Sequence, residues 1–346
     1  MGTPHSSSTI YSVAELAGVS IASVSRVLQG SARVSEATRT KVLEAVTSLD
    51  YMPHSAARSL AVRHHEAHGL VLPELTGPYY AELLLGFESR AAELGQSVVV
   101  LLAAGKRDLS QAVRQLATRV DGVAMFGSAT ISDDLRRILH ETKPLVLIAG
   151  DPQPGVEVLS AENHDSAAAL TTHLLVEHGR RRLLFVGDID AAPDARERYR
   201  GFVDAHKSVR RRAAKPVAIA FREAEGAAVA DRLLSGSLKA DGLVCANDEL
   251  ALSIIARLQE GGRSVPGDLA VVGWDDVMAA RYIRPGLTTV RQPVYELGTL
   301  AAERLHERVS GAPPREGQRL LPTELVLRAS CGCPEQPALP PPRQGG

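Results

Sequence analysis

The chain has 346 residues, too many for one small domain and enough for a small head joined to a large α/β module. Its formal charge is −1, with 39 Lys and Arg against 40 Asp and Glu, so bulk charge announces no nucleic-acid partner. Residues 1–63 hold six basic and four acidic residues, only mildly positive, so any affinity of that segment for a polyanion must come from placed contacts rather than bulk charge.

In chain order, the N-terminus is Gly, Pro, Ser and Thr, with no signal peptide or spanning segment; the expectation is a cytoplasmic chain without a membrane partner. Ser12-Val13-Ala14-Glu15 reads as a capping box opening a first helix, and Gly18 supplies the left-handed residue that ends it. Ser20 can cap a second helix. Along it Val24, Val27 and Leu28 share one face, and Ile21, Ala22, Ser25, Arg26 and Gln29 share the other. That outward face is small and polar with a single arginine. A helix lying deep in a major groove needs short side chains for close approach and one or two long ones to reach bases. The plain alternative is a surface helix of a three-helix bundle. A third helix starts at Ser35, with Glu36 in its first turn and Val42, Val46 and Leu49 as its buried stripe. Residues 54–61 are helix-compatible but only about two turns long, too short to be stable alone in water.

Ala17-Gly18-Val19-Ser20, Val24-Ser25-Arg26-Val27-Leu28, Arg33-Val34-Ser35, Tyr51-Met52-Pro53 and Ala57-Arg58-Ser59-Leu60 together resemble the DNA-binding head and hinge of the lactose-repressor/galactose-repressor family. The resemblance implies a homodimer on pseudo-palindromic double-stranded DNA. Ile21, Ala22 and Arg26 would read bases, while Ser12, Ser20, Ser23 and Thr38 would position phosphates. Ala57 and Leu60 of paired hinge helices would enter the minor groove and bend the duplex.

Residues 62–68 read as a polar linker. His64, His65, Glu66 and His68 match no ordinary structural zinc spacing, so solvation is the preferred reading. From Gly69 a βαβ rhythm sets in, with strands at 69–72, 97–102, 122–126 and 145–148 and helices near 81–94, 109–117 and 133–140. A second series follows, with strands near 183–187, 216–221, 242–245 and 269–272 and helices near 166–178, 196–207, 227–235 and 249–261. Two such halves imply two parallel-sheet subdomains with a cleft at the carboxyl ends of their strands. The resemblance extends here through Val244-Cys245-Ala246-Asn247-Asp248-Glu249, Val272-Gly273-Trp274-Asp275-Asp276, Leu287-Thr288-Thr289-Val290-Arg291-Gln292-Pro293 and Leu321-Pro322-Thr323-Glu324-Leu325. It implies a periplasmic-binding-protein-like fold whose chain crosses between subdomains near 162, 290 and 322. Cys331-Gly332-Cys333 is too close for an ordinary bridge and reads as a reduced feature near the chain end. No metal and no other cofactor is expected.

The candidate ligand residues follow strand ends: Tyr79, Tyr80, Arg198, Phe221, Asn247 and Asp275. An aromatic face, a cation, an amide and a carboxylate suit a sugar or nucleoside. Each has a plainer role: the tyrosines and Phe221 as core, Asn247 as a helix cap, Asp275 as a turn, Arg198 as one of a solvated run. The resemblance raises Arg198, Asn247 and Asp275 above those roles. This chain departs from the family at Ala149-Gly150, with Asp151 just beyond, at Glu162-Asn163, and at Gly179-Arg180, leaving open whether Asp151 and Glu162 replace missing contacts. Arg210-Arg211-Arg212 is expected to be solvated.

The expected organisation is a helix-turn-helix head at 1–52, a hinge and linker at 53–67, and an effector and dimerisation domain at 68–333. Within that domain, residues 68–162 and 291–322 form one subdomain and 163–290 and 323–333 the other, followed by a disordered tail at 334–346. The expected function is a DNA-binding regulator, most simply a repressor, controlled by a small ligand, a carbohydrate above all. A protein corepressor is an alternative controller. A sugar-transport protein has no use for the head, and an enzyme lacks a phosphate loop or nucleophile–base motif.

Overall fold

The computed structural model describes residues 9–28, 34–51, 65–127, 137, 139, 141–315 and 317–334. The expected hinge helix with Ala57 and Leu60, most of the helix expected at 133–140, and the tail beyond 334 lie outside the described residues. The chain divides into two compact units between His65 and Glu66.

The first unit holds α1 (Ile10–Ala17), α2 (Ile21–Leu28) and α3 (Glu36–Ser48). Val13, Ala17, Val24, Val27, Val42, Ala45 and Tyr51 form its core, so each helix spends one stripe on the others. Gly18 at φ +63° ends α1 as expected, and α2 then leaves at 103° to α1. The cap of α1 is Thr9, not Ser12. The Ser12 amide donates to Thr9 Oγ1 at 3.3 Å, which places Ser12 inside the first turn.

The second unit contains two parallel sheets. The larger has strand order β10-β5-β4-β3-β1-β2, built from β1 (Ala67–Leu72), β2 (Ser97–Leu102), β3 (Gly122–Phe126), β4 (Leu145–Ile148), β5 (Glu157–Ala161) and β10 (Gln318–Leu321). Alternation within β1 feeds two cores. Leu70 and Leu72 pack with α4 (Pro78–Glu93) and α11 (Val294–Val309), while Val71 packs on the opposite face with Val113 and Leu116 of α5 (Leu109–Ala117). Glycines let α4 and α11 meet closely: a Cβ at Gly86 would strike the Tyr295 carbonyl, and one at Gly298 the Leu83 carbonyl.

The smaller sheet has order β6-β7-β8, from β6 (Leu183–Val186), β7 (Gly242–Cys245) and β8 (Ala270–Val272). Around it lie α6 (His164–Val176), α7 (Pro193–Ser208), α8 (Glu223–Leu234), α9 (Asp248–Glu260) and the short α10 (Met278–Tyr282). A two-stranded ribbon of β9 (Thr289–Arg291) and β11 (Glu324–Val326) joins the halves. The chain thus leaves the large sheet after Ala161, returns after Arg291 and leaves again after Leu321.

Two local expectations change. The strand expected at 216–221 reduces to a single bridge, Val217 with Val186. His68 is not in a solvated linker; it sits within β1, fully buried between Phe87 and His306, with neither ring nitrogen hydrogen-bonded. Burial, with His306 adding to it, pulls its pKa down to about 4. A histidine depressed in the folded state contributes stability that is complete above about pH 6.5 and is lost as pH falls toward 4. Acid unfolding should therefore show a loss on the order of 3 kcal/mol over that window, which His68→Leu removes. Urea titrations at stepped pH measure it; an unchanged slope in the variant would refute the assignment.

Candidate functional site

In the head, three helices begin with the same device. Thr9, Ser20 and Ser35 cap α1, α2 and α3, and each bonds both the amide and the hydroxyl three residues on, at Ser12, Ser23 and Thr38. The residues expected to position phosphates therefore all occupy helix first turns or caps, where unpaired amides and the helix dipole favour anions. On α2, Ile21, Ala22 and Arg26 are exposed and share the face opposite buried Val24 and Val27. Ser25 is half-buried.

In the second unit the carboxyl ends of both sheets face one cavity of about 350 Å³. All six expected residues line it: Tyr79, Tyr80, Arg198, Phe221, Asn247 and Asp275. Glu74, Phe126, Asp188, Asp194, Arg222, Glu249 and Gln292 also reach it and were not anticipated. Asp194 and Glu249 lie in first turns of α7 and α9, where a carboxylate has the simpler reading of a dipole partner. Gln292 was within a quoted motif, but only the ribbon geometry brings it to the wall.

Arg198 is buried. Its Nε donates to Asn163 Oδ1 at 2.7 Å and its Nη1 to the Ala246 carbonyl at 2.6 Å, while the guanidinium sits 4.6 Å from the centre of the Trp274 ring. Asp194 Oδ2 lies 3.9 Å from Nη2. Asn163, which keeps the family's Asn where the preceding Glu162 departs from its Asp, thus anchors the arginine. Burial pushes the Asp194 carboxyl up, against the pull of Arg198 and of a hydrogen bond from Asn163. Asn247 Oδ1 accepts from the Leu250 amide at 3.1 Å, so this residue both caps α9 and lines the cavity. Gln292 Nε2 donates to Asp275 Oδ1 at 2.5 Å, and Gln292 Oε1 is buried with no partner.

Asp275 and Asp276 both have positive φ, +118° and +57°. Asp276 holds this turn: its buried carboxylate accepts from Arg328 at 2.6 Å, Arg291 at 2.8 Å and Arg281 at 3.4 Å. The strain places Asp275 on the cleft wall. Burial pushes its carboxyl up to about 7, with Arg198 and Gln292 pulling it down and Glu249 and Asp194 adding to the rise. On the other wall Tyr79, Tyr80 and Phe126 pack edge to face, with centroids 5.3 to 6.0 Å apart.

Neither Asp151 nor Glu162 lines this cavity. Asp151 pairs with Arg196 at 3.3 Å, and Glu162 caps α6 through the Asp165 and Ser166 amides. Arg180 donates to the Pro266 carbonyl, and Arg210, Arg211 and Arg212 are exposed. Among the described residues no single helix is long and apolar enough to cross a membrane.

A helix-turn-helix head on a two-subdomain ligand-binding module defines a DNA-binding regulator rather than an enzyme. The comparisons agree. The family described as bacterial regulatory proteins, lacI family, matches residues 9–54, and a periplasmic binding protein-like domain matches residues 172–331. The chain is 32% identical over 334 residues to the HTH-type transcriptional regulator GalR of Salmonella typhimurium (strain SL1344), covering 94% of this chain and 96% of that one. It is 33% identical over 328 residues to the ribose operon repressor of Escherichia coli (strain K12), covering 92% and 98%. A solved lac repressor dimer bound to operator and the anti-inducer ONPF aligns with a TM-score of 0.82 at 27% identity, covering 94% of this chain and 99% of that one. The chain belongs to the lacI family, and it is a DNA-binding transcriptional repressor with an effector-binding domain.

Proposed function

We propose that this repressor acts as a homodimer on a pseudo-palindromic operator and that a neutral, unphosphorylated sugar in the cleft sets its operator affinity. The observation that carries the reading is the chemistry of the cavity wall. Five carboxylates, of Glu74, Asp188, Asp194, Glu249 and Asp275, face two guanidiniums, of Arg198 and Arg222. Even with burial raising the Asp194 and Asp275 carboxyls, the three other carboxylates outnumber the two guanidiniums, which disfavours a phosphate. Asp275, Asn247, the free Gln292 oxygen and Arg198 offer acceptors and donors to hydroxyls, and Phe221 offers a ring face to the apolar side of a pyranose or furanose. The volume of about 350 Å³ suits a ligand of one or two sugar rings.

On DNA, Ile21, Ala22 and Arg26 would read major-groove edges, with Ser12, Ser20, Ser23 and Thr38 on phosphates. Ala57 and Leu60 keep their proposed minor-groove role on the resemblance alone. Exposed Leu85, Met278 and Tyr282 provide apolar surface for a second copy. Closing the cleft around a ligand would shift the subdomains and so couple effector to operator.

The aromatic cluster equally suits a purine base, so calorimetric titration should compare neutral sugars, their phosphates and nucleobases. The reading expects saturable binding by a neutral sugar alone; binding only by a sugar phosphate or a base would overturn it. A sugar hydroxyl donating to Asp275 favours the ionised carboxylate. Affinity should therefore fall about tenfold from pH 8 to pH 6 and stay level in Asp275→Asn. A wild-type profile without slope would remove Asp275 from ligand contact.

A further inference from the structure

We propose that His173, His178, Cys331 and Cys333 form a closed tetrahedral site for one zinc ion. Their four ligand atoms lie within 4.8 Å of one another. His173 Nε2 and His178 Nε2 are 3.0 Å apart; Cys333 Sγ lies 3.3 Å from the first and 3.5 Å from the second, and Cys331 Sγ lies 3.7 Å from His173 Nε2. Zinc–sulfur bonds of about 2.3 Å and zinc–nitrogen bonds of about 2.0–2.1 Å at tetrahedral angles require ligand atoms about 3.3–3.8 Å apart. Those four separations meet the requirement to within a few tenths of an ångström, and the two remaining pairs, Cys331 Sγ with Cys333 Sγ and with His178 Nε2, lie within 4.8 Å. With two imidazoles and two thiolates the shell is full, which defines a structural rather than a catalytic zinc.

Two further features fit the assignment. Gly332, between the cysteines, has φ +118°, and a Cβ there would fall 2.9 Å from His178 Nδ1. Only glycine lets both sulfurs turn toward the imidazoles. The Thr288 hydroxyl lies 3.1 Å from Cys331 Sγ and 2.7 Å from the Arg328 carbonyl, so its single proton is within reach of the sulfur and would turn to it once Cys331 is a thiolate ligand. Loading forms two Zn–S and two Zn–N bonds and releases the two thiol protons to solvent, with no change in oxidation state.

The ion would join the two segments that enter the smaller-sheet subdomain at the first and last crossings. His173 is in the last turn of α6, which follows the first crossing, and Cys331 and Cys333 lie a few residues past β11. The sequence carries no ready sign of such a site, because Cys-x-Cys is an unusual ligand spacing and its partners lie about 160 residues away. The spacing of His173 and His178, four residues between them, was the available signal.

The test is metal analysis of full-length, tag-free protein after gel filtration, with thiols counted in parallel. Wild type should carry about one zinc per chain. Cys333→Ser and His178→Gln should lose it at least tenfold, and Cys245→Ser, which changes the buried thiol of β7, should keep it. Cobalt added to metal-free wild type should give the intense visible absorption of a tetrahedral sulfur–nitrogen site, a readout independent of how the variants fold. Wild type without zinc and without that cobalt spectrum, or with Cys331 and Cys333 joined as a disulfide, would overturn the proposal.

Discussion

Asp275→Asn is expected to weaken effector binding roughly 10- to 100-fold and to leave operator binding by the ligand-free protein within about twofold. The substitution keeps shape and keeps an oxygen for Gln292 Nε2, so the turn held by Asp276 and its three arginines persists. What it removes is the charge. A ligand hydroxyl donating to a carboxylate forms a stronger bond than one donating to an amide oxygen, by about 1–2 kcal/mol when both are shielded from water. Arg198 then loses one of its two facing carboxylates and turns toward Asp194, which misaligns the remaining donors. Repressor assays across effector concentrations, with isothermal titration, measure both consequences. A variant with wild-type effector affinity would place the ligand elsewhere.

The second large effect lies in the head. Exchanging Ile21 and Ala22 for a different pair is expected to change the sequence selected from random DNA. Arg26→Ala should cost about 1–3 kcal/mol per half-site, roughly 10- to 100-fold, and relax preference at one base position. None of the three side chains belongs to the head core, which is made by Val13, Val24, Val27 and Val42, so the fold should survive. Ser23→Ala on the same helix should instead weaken all sequences alike and leave the salt dependence unchanged, as loss of an uncharged phosphate contact does. An unchanged selected motif after the Ile21-Ala22 exchange would remove α2 from base readout.

Much of the fold was legible because its signals are local. Ser20 and Ser35 cap where expected, since a hydroxyl followed by an apolar-periodic run leaves little else for the helix amides to bond. Thr9 took the role assigned to Ser12 because both offer a hydroxyl three residues before a backbone amide, and burial of Val13 decides the register. Strands β3, β4 and β6 to β8 are continuous apolar runs, and β1 and β2 are apolar apart from His68 and Ser97. Strand β5 is not: it opens on Glu157 and carries Ser160, and the ion pair with Arg304 at 3.3 Å, with Arg315 and Arg308 nearby, offsets the burial of that carboxylate. Strand β10 carries Gln318 and Arg319 on an exposed sheet edge, where no apolar run is demanded. In the cleft, Arg198, Asn247 and Asp275 follow strand ends, but it is the family resemblance that raises them above their plainer roles as solvated cation, helix cap and turn. Asp194, Glu249 and Gln292 resemble ordinary helix-start and ribbon residues until the sheets are assembled. The histidine–cysteine cluster shows in the sequence only as two separate pairs, His173 with His178 and Cys331 with Cys333, which the fold alone brings together.

Central to the proposed function is one coupling, between a neutral sugar in the cleft and DNA at the head. Trp274 is the only tryptophan and the Arg198 guanidinium lies over its ring, so its fluorescence reports on the cleft directly. Titrating wild-type protein with neutral sugars, with and without operator DNA, should give a saturable change whose midpoint shifts roughly 5- to 100-fold when DNA is bound. A saturable change with the same midpoint in both conditions would contradict it: the cleft would bind sugar without controlling the operator.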